Sequence, residues 1–164
     1  KIINHMKRLL KQIVFKYIGE EKRTHAPLNS HEKYKKSGLT ESEAFYIREK
    51  IKKAFEEDKI YRNNTIRLDE LSEHIQDNRY KVSQVINMYF SKNFYSFLND
   101  YRIEEAKHLL VSDSTLSVKA IMYEVGFNSK NSFYSAFKKI TGLSPNDYRS
   151  AATMSFVQNE IQMA

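Results

Sequence analysis

Two pairs of short amphipathic helical patterns lie about fifty residues apart in this 164-residue chain, and their apolar positions superpose. Leu71 corresponds to Ile121, Ile75 to Val125 and Asn78 to Asn128. After one extra residue in the second copy, Val82 corresponds to Phe133, Ile86 to Phe137, Ser91 to Gly142 and Phe97 to Tyr148. A few residues part the helices of each pair, too few for a hairpin of long helices and suited to a helix-turn-helix. Chance similarity of two amphipathic pairs is the competing reading.

The remaining sequence agrees with an all-α fold: four Gly, two Pro and no sustained period-two alternation argue against a sheet. Thr40 and Glu43 make a capping box, opening a helix whose buried face is Ala44, Ile47, Ile51, Ala54 and Phe55. After a loop at Asn63 and Asn64, the first pair turns Leu68, Leu71 and Ile75 inward, then Val82, Val85, Ile86 and Tyr89. A longer helix, roughly Phe94 to Val111, places Phe97, Leu98, Tyr101, Ala106, Leu109 and Leu110 inside. Its eighteen or so residues span about 27 Å, near the roughly 34 Å between successive major grooves on one face of B-DNA.

The second pair carries Val118, Ile121, Met122 and Val125, a turn at Gly126, then Phe133, Ala136, Phe137 and Ile140. Gly142 suits a left-handed cap, and Ser144-Pro145 supplies an N-cap followed by proline at the first helical position. A short last helix bears Tyr148, with a fraying helix or coil beyond Arg149. Upstream, Ile2, Ile3, Met6, Leu9, Leu10, Ile13, Val14, Tyr17 and Ile18 share one helical stripe that Gly19 ends, and a polar stretch with Pro27 reads as a linker. The expected organisation is a basic arm over residues 1–38, one domain over 39–150 and a tail over 151–164.

The net charge of +7 resides entirely in the arm, where ten Lys/Arg face three Glu; from Leu39 onward there are seventeen charges of each sign. Bulk charge therefore does not establish nucleic-acid binding, and the motifs must carry that case. No cysteine is present, and His5, His25, His31, His74 and His108 are scattered, so neither a metal site nor a cofactor is expected. No apolar run is long enough to span a bilayer. Without a nucleophile and base at recognisable spacing, a glycine-rich phosphate loop or paired carboxylates in an apolar setting, an enzyme is not expected.

The second helix of each pair has the surface that groove reading needs: one face on its core and the other carrying short polar or planar side chains. The first presents Arg79, Tyr80, Lys81, Ser83, Gln84 and Asn87; the second presents Ser129, Lys130, Asn131, Ser132, Tyr134, Ser135 and Lys138. Gln84 and Asn131 are amides suited to bidentate pairing with adenine, and Tyr80 to stacking or a thymine methyl. Exposed helix faces are polar in any case, so this chemistry is apt without being diagnostic.

The segments "RIEEAKHLL" from Arg102 to Leu110 and "VGFNSKNSFYSAFKKITGLSPNDYR" from Val125 to Arg149 resemble the DNA-binding domain of the AraC/XylS family of bacterial transcription regulators. The resemblance runs from about Thr40 to Arg149. It implies seven helices in two helix-turn-helix subdomains joined by a long central helix, the third and sixth helices entering successive major grooves. By position it assigns base reading to Tyr80, Ser83, Gln84, Asn131, Ser132, Tyr134 and Ser135. Phosphate contacts fall to Arg79, Lys81, Asn87, Asn128, Lys130 and Lys138. Three residues depart from the family pattern: Gln76 replaces the usual turn glycine, Arg67 a common N-cap Ser/Thr, and Asn87 a frequent lysine.

The resemblance further implies a regulator in the cytoplasm with double-stranded DNA and the transcription machinery as partners. Because the chain begins on Lys1 and shows no sensing domain, the expectation is the output end of a longer protein. The arm is then a dimerising helix, a linker from an effector domain, a segment following a membrane span, or a source of added DNA contacts. The alternative is a helical protein-protein interaction module that keeps the fold without binding DNA.

Overall fold

The computed structural model describes residues 38–163, with side chains to Met154. The upstream amphipathic stripe and linker lie outside these residues. Among them are seven α-helices, one 3-10 turn and no strand: α1 (Glu41–Glu56), the 3-10 turn (Ile60–Arg62), α2 (Leu68–His74), α3 (Arg79–Phe90), α4 (Phe94–Ser112), α5 (Val118–Glu124), α6 (Lys130–Thr141) and α7 (Pro145–Met163). None of these helices is long and apolar enough to cross a membrane.

Local signals set most of the boundaries. The Glu43 backbone N–H donates to Thr40 Oγ1 at 3.2 Å and the Thr40 N–H to the Glu43 carboxylate at 3.0 Å, closing the expected capping box on α1. At α2 only one half of such a box forms. The Arg67 N–H reaches the Glu70 carboxylate at 2.8 Å, but a guanidinium has no acceptor to offer in return. The C-cap residues Ser91 and Gly142 share left-handed backbone, at φ 53° and 80°, as their equivalence in the repeat implies.

Two separate cores result. The first gathers Ile47, Ile51, Phe55, Leu71, Val82, Ile86 and Phe97 around α1 to α3; the second gathers Ile103, Leu110, Ile121, Val125, Phe133 and Phe137 around α5 and α6. Helix α4 belongs to both, Phe94, Phe97 and Leu98 entering one core and Ile103, Ala106 and Leu110 the other. At 100° per residue these two sets point roughly 160° apart around the helix. A single inward stripe was expected, with Tyr101 and Leu109 on it; both are only partly buried, while Ile103 and Arg102 are buried.

Two further expectations are corrected. Ile140 is 38% exposed; it lies in the last turn of α6, beyond the fully buried Phe133 and Phe137. The last helix does not stop near Arg149 but runs to Met163. No Gly or Pro follows Pro145, and Ala151, Ala152 and Met154 favour helix, so nothing local terminates it. Arg149 holds its base by donating to the Leu110 and Leu116 carbonyls at 3.3 and 2.8 Å, and Tyr148 packs edge-on to Phe137 with centroids 5.5 Å apart.

Candidate nucleic-acid interface

The two turns are built alike. After α2, the Gln76 N–H donates to Glu73 O at 3.1 Å and the Asp77 N–H to Ser72 O at 2.9 Å; after α5, Gly126 bonds Tyr123 O and Phe127 bonds Met122 O, both at 3.0 Å. Gln76 and Gly126 both take positive φ there. The two turns differ in length. Asn78 caps α3 through its side chain, accepting from Tyr80 N–H at 2.9 Å, whereas Ser129 caps α6, accepting from Ser132 N–H at 3.4 Å. The extra residue of the second copy thus falls before the cap, and Asn128, expected at the helix N-terminus, lies one residue outside it.

Helix α3 buries Val82, Val85 and Ile86 and turns the opposite face outward. Tyr80 is 77% exposed, with the Arg79 guanidinium carbon 6.0 Å from its ring centroid. Arg79 is paired with Asp69 at 2.7 Å, and Lys81 with Glu43 at 3.0 Å. Ser83 is half-buried; Asn87 is exposed but its amide nitrogen donates to Ser83 O at 2.9 Å within the same helix. Gln84 does not match its expected place on the reading face. It is 6% exposed and its amide nitrogen lies 3.7 Å from Met88 Sδ, because its position on α3 falls beside Val85 at the core edge.

Helix α6 rests on Phe133 and Phe137 and exposes Lys130, Asn131, Ser132, Ser135, Lys138 and Lys139. Tyr134 is half-buried, edge-on to Phe133 and with Lys130 Nζ 5.4 Å from its ring centroid. Asn128 is exposed in the turn before it. Lys119 on α5 and Lys139, which were not among the assigned contacts, add exposed positive charge to this unit.

The units differ electrically. From Leu68 to Phe90 there are four carboxylates against Arg79 and Lys81; from Val118 to Thr141 there are four lysines against Glu124 alone. Arg79 and Lys81 of the first stretch are both engaged by acids, and no ion pair among the described residues involves the four lysines of the second. The Thr40 backbone and then Lys81 hold the Glu43 carboxyl below its ordinary value, which keeps that pair ionised.

A joint between the units was not legible in the sequence. Arg102, 7% exposed on α4, donates through Nε to Tyr61 O and through Nη2 to Asn63 O, both at 2.8 Å, with its guanidinium over the Phe127 ring at 5.2 Å. Burial pulls its pKa down to about 10, so it remains charged at neutral pH. The clue available was a lone arginine between Tyr101 and Ile103 on a helix with apolar positions on both sides.

Together these features define a double helix-turn-helix domain. A helix-turn-helix domain family matches residues 71–151. The melibiose operon regulatory protein of Escherichia coli strain K12 is 28% identical over 87 residues, covering 53% of this chain and 28% of that protein. The C-terminal domain of the two-component response regulator yesN from Fusobacterium nucleatum superposes with a TM-score of 0.55 at 31% identity, over 62% of this chain and 96% of that one. The DNA-binding domain of AdpA, a global transcriptional factor solved in complex with a target DNA, superposes with a TM-score of 0.56 at 22% identity, over 64% and 90% of the two chains. The chain belongs to the AraC-type helix-turn-helix family. It spans 28% of the length of the melibiose regulator.

Proposed function

We propose that this chain is the DNA-binding output end of a bacterial transcription regulator, and that α3 and α6 enter successive major grooves of one duplex. The observation that carries the reading is that the second helix of each repeated unit is anchored on its own core by one face while the other presents Tyr80 with the half-buried Ser83, or the exposed Asn131, Ser132 and Ser135. The 19 residues of α4 between them extend about 28 Å, commensurate with the groove spacing. Its relatives are named as regulators, and a domain of the same fold was solved on DNA, which supports the same reading.

In this reading Tyr80 and Ser83 read bases in one groove and Asn131, Ser132, Tyr134 and Ser135 in the next. Arg79, Lys81, Asn87, Asn128, Lys130 and Lys138 contact phosphates, with the acid-free first turn of α6 offering backbone N–H groups to an anion. Gln84 is left out, since its amide faces Met88. The chain has no catalytic role; contact with the transcription machinery, pairing of two copies and residence in the cytoplasm complete the picture. Selection of bound duplexes from a random pool tests it. A recovered sequence bound about a thousandfold or more tighter than random duplex at physiological salt is expected. Equal affinity for all duplexes, or none, would leave the protein-interaction module.

A further inference from the structure

Beyond the buried Arg102, a second layer of contacts crosses between the units at the surface. Arg62, on the 3-10 turn of the first unit, bonds Glu105 on α4 through Nε at 3.0 Å and again through Nη2, and bonds Glu124, the last residue of α5, through Nη1 at 3.1 Å. Lys59 adds a bond to Glu105 at 3.4 Å. One guanidinium therefore ties the first unit, the central helix and the first helix of the second unit together. Underneath, Gly126 in the second unit's turn leaves no gap: a Cβ there would sit 2.4 Å from Tyr61 O and 2.9 Å from Arg62 O.

We propose that the Arg62–Glu105–Glu124 strap is a positioning device that fixes the angle between the two helix-turn-helix units and so sets the half-site spacing the protein accepts. The inference rests on the DNA-binding reading above. A helix alone joins the units along one axis and leaves them free to swing as it bends; a contact displaced from that axis removes the swing. Arg62 is suited to this because its planar fork engages two carboxylates in fixed directions at once. The side chain of Glu105 is 11% exposed and that of Glu124 is 52% exposed, so the bond to Glu124 can be cut without opening a core.

The test compares the 164-residue chain with Glu124→Gln, Arg62→Ala and Arg62→Lys on the best duplex recovered by selection, on duplexes with one or two base pairs inserted between its half-sites, and on each half-site alone. One inserted pair rotates the second half-site by about 35° and moves it by about 3.4 Å. The unaltered chain should lose about tenfold or more in affinity on that insertion, because the two units can no longer engage together. Glu124→Gln and Arg62→Ala should shrink this penalty at least about threefold, leaving half-site affinities within about twofold, and Arg62→Lys should restore part of it. Glu124→Gln guards against an Arg62→Ala chain that fails to fold. An undiminished penalty in both variants, or a loss shared equally by half-sites and whole sites, overturns the strap. Absence of any preferred sequence in the unaltered chain overturns instead the DNA-binding reading beneath it.

Discussion

Gln76 and Gly126 occupy the same turn in the two helix-turn-helix units, at φ 53° and 93°, yet only Gly126 is pressed against the backbone of the other unit. Adding a Cβ at one position and removing the side chain at the other should therefore have different outcomes. Gly126→Ala forces a Cβ into Tyr61 O and keeps a left-handed φ, and should destabilise the domain by about 2–4 kcal/mol. Gln76→Gly relieves the left-handed cost and should be neutral or stabilising by up to about 1 kcal/mol. Urea denaturation of both variants checks the pair; similar losses would show that the contact with Tyr61 is not what holds Gly126.

Arg102→Met tests the buried layer of the joint. It leaves the Tyr61 and Asn63 carbonyls without their guanidinium donors, and a loss of about 2–4 kcal/mol is expected from the thermal melt. A melt unchanged from the parent would mean water replaces the arginine without cost.

Base readout and phosphate contact should separate in the second unit. Asn131→Ala should cost about 1–3 kcal/mol at one base pair and relax choice there. Lys138→Ala should weaken all duplexes alike and lower the salt slope by about 1. Because Gln84 is buried, Gln84→Leu should leave base preference as it is. Binding to a panel of single-base variants of the selected duplex measures all three; a relaxed preference in the Gln84 variant would return that residue to the reading face.

The units should also contribute unequally to salt dependence. Arg79 and Lys81 are already paired with Asp69 and Glu43, and a phosphate must compete for them. Replacing either by alanine should flatten the salt dependence less than replacing Lys130 or Lys138. Equal slopes across the four variants would contradict this.

Acid should loosen the joint. Burial pushes the Glu105 carboxyl up, but the bonds and charge of Arg62, with Lys59 and Tyr61 behind them, outweigh it and hold it below the ordinary 4.5. The Thr115 hydroxyl and backbone hold Asp113 down likewise. A lowered carboxyl stabilises the fold fully above its unfolded value and progressively less as pH falls through the folded one. The contribution of these two carboxyls should therefore be lost on acidification below about pH 4.5, while Glu56, which burial raises, acts in the opposite direction. With Glu105→Gln the drop should be shallower; an identical pH profile would remove Glu105 from the account.

Apolar spacing made the helices and both cores readable, since Leu71 with Ile121 and Val82 with Phe133 are all fully buried as the repeat requires. The caps at Thr40 and Gly142 were equally plain, because their chemistry acts within four residues. What stayed hidden depends on side chains meeting across distant stretches. Arg62 and Glu124 are 62 positions apart, and nothing local distinguishes either from a solvated surface charge. Gln84 misled for a related reason: polarity suggested the outer face, while its place on α3 turned the amide toward Met88.

Hydroxyl-radical footprinting of the selected duplex, at one chain per duplex, bears most directly on the claim that two reading helices are presented together. Two protected patches on one face, centred about 10 base pairs apart, are predicted. One patch alone, or protection that reaches two turns only when a second chain binds, would contradict it.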